Sequence, residues 1–453
     1  MMQVKKYNQR VSLFGIALFF HFSLSFGQNP FILDQFSADP SARVFGDRVY
    51  VYPSHDIRCS PGKGRPDWFC MEDYHVFSSP DLVKWTDHGM IVSQSNVKWV
   101  DPAAYSMWAP DCIYRNGKYY FYFPTKAKDT STYEKRFRIG VAISDKPYGP
   151  FIPREEPVKN VFGIDPNVFI DRDNQAYLYW SDRNIFSAKL KENMLELASG
   201  IDTLKGLPPK GLIEGPYLFE RNGIYYLTYP HVENKVERLE YAIADNPLGP
   251  FRFTGVIMDE SPTGCWTNHH SIIQFKNQWY LFYHHNDLSP QFDKNRSVRV
   301  DSLFFNKDGT IKKVVPTLRG VGLTNATGKV QLDRYSQISQ QGCSVAFLDS
   351  LDKFKGWKMI LDSANAWVQY NSIDFGEKQL KYAAVQAVSK TGGSLQIRLD
   401  NINGPLVAEV KIPGGRGWKL SKAPIIKSEP GVHNLFVVLK DNRQVEVDWV
   451  IFE

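Results

Sequence analysis

The sequence predicts an all-β protein: a five-bladed β-propeller followed by a C-terminal β-sandwich of the jelly-roll kind. Three observations carry this reading. A hairpin unit recurs five times, at 43–52, 112–122, 168–179, 217–229 and 272–283, each with two apolar runs around a short polar turn such as Arg115-Asn116-Gly117 or Arg221-Asn222-Gly223. Asn-Gly between apolar runs is the strongest short-range hairpin signal. A second unit repeats once, 141–151 against 241–251, and both copies end in Gly-Pro-Phe. Strand-rich repeats at intervals of roughly 50–70 residues point to propeller blades, with a β-sandwich built from similar hairpins as the competing reading. After residue 328 the texture changes to short alternating strands, 366–375, 394–399, 406–412, 434–439 and 445–452, broken by Gly392-Gly393, Asn403-Gly404-Pro405 and Pro413-Gly414-Gly415. That is sandwich patterning. Helical periodicity is scarce; 190–198 is one short candidate.

In chain order, residues 1–27 read as a secretory signal. Lys5, Lys6 and Arg10 precede a mostly apolar run, and Ser25-Phe26-Gly27 offers a small-residue cleavage site. Residues 28–318 hold the blades, 319–328 read as a linker, and 329–453 form the sandwich. No second apolar run is long enough to span a membrane, so the expectation is a secreted or periplasmic protein with no span after signal removal. Five cysteines are an odd, sparse set and no disulfide framework. Cys59 and Cys70 share one polar loop, where pairing after export and separate thiols are equally open. The chain is 14% aromatic, with 23 Tyr and 11 Trp; blade-to-blade packing absorbs most of these, and sugar-stacking faces would use the rest. The formal net charge is +6, but no long basic run interleaves with aromatics, which argues against a nucleic-acid partner.

Three acids stand in similar settings early in their blades: Asp39 in Ala38-Asp39-Pro40, Asp165 in Ile164-Asp165-Pro166 and Glu214 in Ile213-Glu214-Gly215-Pro216. Apolar residues precede each acid and proline follows within two positions. In a propeller the innermost strands line the central channel, so three acids in repeat register would converge. Converging carboxylates shift one another, leaving one protonated and another ionised, which is the pair glycoside hydrolysis needs. Taken singly, each acid is also an ordinary turn residue.

These stretches, with Trp108-Ala109-Pro110-Asp111, His269-His270-Ser271 and 279–284, resemble glycoside hydrolase family 43 over about residues 29–318. The family consists of five-bladed propellers that trim arabinose and xylose from plant polysaccharides. The resemblance implies Asp39 as general base, Glu214 as general acid and Asp165 as the carboxylate that tunes and orients the acid. It implies inversion, with acid and base separated by roughly 6.5–9.5 Å. It places Trp108 at the pocket wall, His269 near the propeller axis where a calcium ion is met through water, and Arg296 within reach of the sugar or the acid. His55 and Asp56 are further candidates for sugar contacts. The chemistry needs no cofactor; calcium would be structural.

From residue 329 the chain resembles a family 6 carbohydrate-binding module, through 366–370, 392–400, Gly417-Trp418, 431–435 and Val447-Asp448-Trp449. The resemblance implies a sugar ring clamped by Trp367 and Trp418, and a calcium site drawn from Gln331, Asp333 and Asp448. Glu446 stands where that family often carries Asn.

The reading that results is an exported inverting glycosidase acting on plant cell-wall oligo- or polysaccharide, with α-L-arabinofuranosidase first and β-D-xylosidase or an exo-acting galactan hydrolase as alternatives. Exo action is favoured because the loop 57–72 could close one end of the pocket. Rival readings are a non-catalytic glycan-binding protein and a five-bladed enzyme that works through a covalent sugar intermediate. Oligomeric state is not legible in the sequence.

Overall fold

The turn chemistry sets the local structure. Asn116 and Gly117 take φ of 50° and 80°, and Asn222 and Gly223 take 53° and 84°. These paired positive values are what a two-residue hairpin turn with the sheet's twist requires. The computed structural model describes residues 29–128, 137–352, 355–427 and 429–453; the signal segment read over 1–27 lies outside the described residues.

Five antiparallel sheets follow one another. Sheet I holds β1 (Phe36–Phe45), β2 (Arg48–Asp56), β3 (Asp73–Ser79) and β4 (Thr86–Ser93). Sheet II holds β5 (Asp111–Arg115), β6 (Lys118–Lys126), β7 (Phe137–Ser144) and β8 (Ile152–Pro153). Sheet III holds β9 (Ile164–Ile170), β10 (Ala176–Ser181), β11 (Ile185–Lys189) and β12 (Asp202–Thr203). Sheet IV holds β13 (Leu212–Ile213), β14 (Tyr217–Arg221), β15 (Ile224–Val232), β16 (Glu237–Ala244) and β17 (Arg252–Met258). Sheet V holds β18 (Ser271–Phe275), β19 (Gln278–His285) and β20 (Ser297–Leu303). The leading strands neighbour one another in order: β1 meets β5, β5 meets β9, β9 meets β14, β14 meets β18, and β18 lies against β1.

The aromatic load has a structural use. Tyr52, Tyr74, Phe121 and Phe123 fill the space between sheets I and II. Tyr122 and Trp180 lie between II and III, Tyr179 and Tyr229 between III and IV, and Tyr226, Tyr241 and Tyr283 between IV and V. Val49, Val51 and Phe282 join V to I. Asp111 ties three leading strands together. It accepts from Ser41 Oγ at 2.6 Å, Arg43 Nε at 3.0 Å, the Val168 N–H at 2.7 Å and Asn167 Nδ2 at 3.1 Å.

The chain is all-β. Among the described residues, helix is limited to 3-10 turns such as Gln94–Asn96 and Leu332–Arg334. The helical expectation over 190–198 is wrong: Leu190 bridges Leu197 antiparallel, and Asn193 Oδ1 accepts the Leu195 N–H at 3.0 Å, so side-chain turn chemistry closes a hairpin there.

The C-terminal unit has two facing sheets. One runs β21 (Thr324–Asn325), β26 (Trp367–Asp374), β31 (Val432–Leu439), β28 (Gly393–Leu399), β29 (Leu406–Ile412), with β23 (Gln337–Ile338) on β26. The other runs β24 (Cys343–Phe347), β25 (Trp357–Leu361), β32 (Val445–Phe452), β27 (Tyr382–Val388), β30 (Lys419–Pro424), with β22 (Val330–Gln331) on β32. Alternating residues such as Leu361, Val385, Ile397, Leu435 and Val447 are fully buried between them. The stretch read as a linker is bonded to both units. The Gly320 N–H donates to Thr317 Oγ1 at 3.0 Å, the Ala326 N–H donates to Asp374 O at 2.9 Å, and the buried Arg319 lies over the Tyr370 ring.

Candidate active site

Asp39 and Asp165 occupy matching backbone positions. Each precedes a proline, which has no N–H for the ladder. Each lies where pairing slips, between Ala38 and Ser41 against β2 and opposite the step from Tyr179 to Ser181 in β10. Both residues take left-handed φ, 48° and 56°, a conformation that costs a non-glycine residue about 1–3 kcal/mol and recurs at functional sites. On the adjoining strand a serine serves each acid. Ser54 Oγ donates to Asp39 Oδ2 at 2.7 Å, and Ser181 Oγ to Asp165 Oδ2 at 2.9 Å. Glu214 follows the short β13, and Gly215-Pro216 interrupts pairing before β14. Gly215 has φ 53°, and a Cβ there would stand 2.9 Å from the Pro230 ring. Its N–H donates to Asp165 Oδ2 at 3.0 Å, linking the second acid to the third.

The three carboxylates line one cavity of about 120 Å³, and their environments differ. Burial pushes Asp39 up, but Arg296, His284, His269 and Ser54 outweigh it and hold the carboxyl below its ordinary range. Arg296 Nη1 donates to Asp39 Oδ1 at 2.8 Å. His284 Nδ1 accepts the Asp39 N–H at 3.0 Å, which leaves the ring proton on Nε2 to donate to Thr267 Oγ1 at 3.0 Å. Asp165 is pushed up to about 7 by burial and by Glu214 and Asp39, against the pull of His269 and the Gly215 N–H. Glu214 is pushed well above the usual carboxyl range by burial, then by Glu237 and Asp39. One acid of the site is therefore biased toward the ionised form and another toward the protonated form, the division that acid–base cleavage of an acetal requires.

Glu237, at the start of β16, is the acidic cavity residue that sequence reading missed, as it missed Trp266 and Thr267. Its carboxyl is pushed to about 7 by burial, with hydrogen bonds from Glu214 and the Asn268 N–H opposing. It sits in a polar stretch, Glu233-Asn234-Lys235-Val236-Glu237-Arg238, that resembles a solvated turn. The available signal is parity: Glu237 shares a strand face with the buried Leu239 and Tyr241.

Trp108 lines the cavity, as do Arg296 and His269. Trp68, Phe69 and Met71 come from the loop 57–72, which a Cys59–Cys70 disulfide closes. Beside the cavity, and sharing Trp68, Trp108, Ile164 and Glu214 with it, runs a groove of about 560 Å³ past Arg65, Phe137 and Arg183.

His55 and Asp56 are not brought to the cavity. Strand alternation turns Asp56 to the same side as Ser54, where Arg296 Nε and Nη2 each donate to it at 2.9 Å and leave its side chain buried. Asp56 thus orients the arginine that faces Asp39. His55 points to the other face of β2, and its Nδ1 bonds Asp73 at 2.6 Å. His55, Asp73 and His75 have donor atoms within 4.8 Å of one another, the one such group among the described residues. Asp73 and Asp87 already satisfy the two rings, at 2.6 Å and 3.2 Å, so the group is a hydrogen-bonded chain rather than a cage. His269 Nδ1 stands 4.0 Å from both Asp39 Oδ1 and Asp165 Oδ1. Those carboxylates are engaged by Arg296, Ser54, Ser181 and Gly215, so this set does not fit a directly coordinated calcium ion.

In the sandwich, Trp418 lines a broad groove of about 990 Å³ with Phe347, Trp357, Gln386 and Asp448. Phe347 and Trp357 stack at 3.9 Å. Trp367 does not share that groove: it lies on β26 in the opposite sheet, against Phe436. Gln331 pairs with Trp449 on β32, beside Asp448. The buried Asp333 is pushed to about 6 by burial, with Asp448 adding to the rise against Arg334. These oxygen donors suit a hard cation. Glu446 accepts from Lys358 Nζ at 2.7 Å.

Comparison with known proteins follows the same division. The model of glycosyl hydrolases family 43 matches residues 28–311, and that of carbohydrate binding module family 6 matches residues 340–453. The chain is 36% identical to xylosidase/arabinosidase 43A of Humicola insolens, over 62% of this chain and 98% of that protein. It is 28% identical to an arabinoxylan arabinofuranohydrolase of Paenibacillus polymyxa over 90% of this chain and 71% of that one. Among solved structures it is similar to CoXyl43, a β-xylosidase/α-arabinofuranosidase from a compost metagenome crystallised with xylotriose in a calcium-free form. There the TM-score is 0.57 at 35% identity, covering 64% of this chain and 98% of that one. A Bacillus subtilis arabinoxylan arabinofuranohydrolase in complex with cellotetraose gives a TM-score of 0.55 at 25% identity over 95% and 99% of the two chains.

Proposed function

The chain belongs to glycosyl hydrolases family 43 and is a glycoside hydrolase with a family 6 carbohydrate-binding module; from that premise we propose that it is an exported, inverting exo-enzyme removing terminal α-L-arabinofuranosyl and β-D-xylosyl units from plant cell-wall polysaccharide. The observation that carries the reading is that Asp39, held by Arg296, and Glu214, buried beside Glu237, line one small cavity in environments that push their carboxyls in opposite directions. Ligand pockets commonly run to roughly 300–1,000 Å³, so a cavity of about 120 Å³ suits a single terminal sugar. The adjoining groove would take the aglycone.

In this mechanism Asp39 accepts a proton from a water molecule as its oxygen attacks the anomeric carbon. The bond from that carbon to the glycosidic oxygen breaks, and its electron pair goes to the oxygen, which takes the proton of Glu214. Asp165 holds the Gly215 N–H and so fixes the Glu214 backbone. Arg296 keeps Asp39 ionised and aimed. No step needs a metal; Gln331, Asp333 and Asp448 would hold a structural calcium in the sandwich. The order of leading strands, with β18 against β1, supports closure into a five-bladed propeller. The Cys59–Cys70 bond supports an oxidising compartment after export. The groove along Phe347, Trp357 and Trp418 suits a glycan chain.

Proton NMR of the first-formed sugar from aryl arabinofuranoside and xylopyranoside tests the reading. An inverted anomer from both is expected. Retention would replace the water-activating base with a covalent nucleophile, and no turnover of either would remove the exo-acting assignment.

A further inference from the structure

We propose that Glu237 is a positioning residue for proton donation: its carboxyl and that of Glu214 hold one proton between them, which keeps Glu214 loaded until the leaving oxygen takes it. The inference rests on Glu214 acting as the acid.

The geometry comes from the pairing in sheet IV. Ile213 pairs with His231 and Glu237 with Val232, so β13, β15 and β16 bring residues 214 and 237 to the same sheet end. Both side chains line the cavity. Glu237 is 1% exposed. Its Oε2 accepts the Asn268 N–H at 2.7 Å, and its backbone N–H donates to Trp266 O at 3.0 Å. Among the described residues its Oε1 is buried without a hydrogen-bond donor, and the carboxyl of Glu214, which lines the same cavity, is the proton-bearing group beside it. The nearby guanidinium of Arg296 is committed to Asp39 and Asp56. The other titratable groups facing the pair are Asp39, Asp165, His269 and the buried thiol of Cys265. A buried carboxylate with no cation is costly, and two adjacent carboxyls relieve the cost by sharing a proton, since ionising both would set like charges together in low dielectric. The upward shifts of both groups agree with this arrangement. In turnover the O–H bond of Glu214 breaks, the glycosidic oxygen gains the proton, and Asp39 gains one from water. The pair is then one proton short, and exchange with solvent returns it from Asp39.

The test is the pH profile of kcat/KM for wild type, Glu237→Gln and Glu237→Asp. Removing the anion beside Glu214 is expected to move the alkaline limb of Glu237→Gln down by about one unit or more, with Glu237→Asp partly restoring it. Above the limb this is a tenfold or larger loss on a sugar leaving group and a much smaller one on a dinitrophenyl glycoside, which departs without a proton. Glu214→Gln is the control. If it keeps full activity on a sugar leaving group, the acid assignment itself fails. If it is inactive while Glu237→Gln retains the wild-type alkaline limb, only the role of Glu237 is overturned. Should Glu237→Gln not fold, infrared titration of Asp165→Asn decides: a protonated carboxyl band persisting at pH 8 supports the shared proton, and its absence refutes it.

Discussion

Asp39 and Asp165 share a following proline, a left-handed backbone and a serine partner, and yet their carboxyls shift in opposite directions. The largest difference is one guanidinium. Arg296 touches Asp39 and not Asp165, so burial wins at Asp165 and loses at Asp39. This gives a stability prediction with a definite sign. The folded value of Asp165, about 7, lies above its ordinary 3.8. Its contribution to stability is therefore fully present below 3.8 and is lost as pH rises through about 7, because folding then confines a carboxylate that the unfolded chain would hydrate. Ser181 and Gly215 both donate to Asp165 Oδ2, so Asp165→Asn keeps one acceptor oxygen for the two of them without the charge. It is expected to melt higher than wild type at pH 8, to match wild type near pH 4, and to lose most of its activity. Calorimetric scans at the two pH values check this, and a lower melting temperature at pH 8 would contradict the assignment.

At the scale of elements, the site is built where strand pairing is interrupted. Bulges present Asp39 and Asp165, and the Gly215-Pro216 break presents Glu214. Gly215 is the sensitive point, since its φ is 53° and a side chain would meet Pro230. Gly215→Ala is expected to lower kcat/KM at least tenfold by moving the N–H that holds Asp165. Gly223→Ala meets nothing within 4 Å at φ 84° and should cost only about 1 kcal/mol of stability, with activity kept. Steady-state kinetics and denaturant melts of the two variants separate the effects. The 57–72 loop works at the same scale: Cys59 and Cys70 close it, and Trp68 and Phe69 wall the cavity, with Phe69 4.7 Å from the Arg296 guanidinium carbon.

Across the whole molecule, the sandwich presents a wide aromatic groove and the five N-terminal sheets a narrow acidic cavity. This division implies that polymer binding and bond cleavage separate by mutation. The double variant Trp357→Ala, Trp418→Ala is expected to hydrolyse nitrophenyl glycosides at the wild-type rate while its binding to insoluble arabinoxylan drops about tenfold, each ring contributing about 0.5–1.5 kcal/mol. Depletion assays against the polymer check this; unchanged binding would move the carbohydrate face elsewhere, with the other sheet around Trp367 as the next surface to test.

The hairpins, their repetition, the sandwich strands and the three acids before proline breaks are legible in the residues alone, because turn chemistry and period-two alternation act within a few residues of the chain. The family resemblance pointed to Arg296 and Trp108, and both line the cavity that holds the three acids. Folding alone shows that Asp56 serves Arg296 rather than the cavity, that Trp367 and Trp418 belong to different faces, that Cys59 bonds Cys70, and that Glu237 shares the cavity with Glu214. Each of those outcomes depends on which strands become neighbours, or on how a loop folds back on itself. A carboxylate's charge state, in turn, is set by neighbours as distant in sequence as Arg296 is from Asp39.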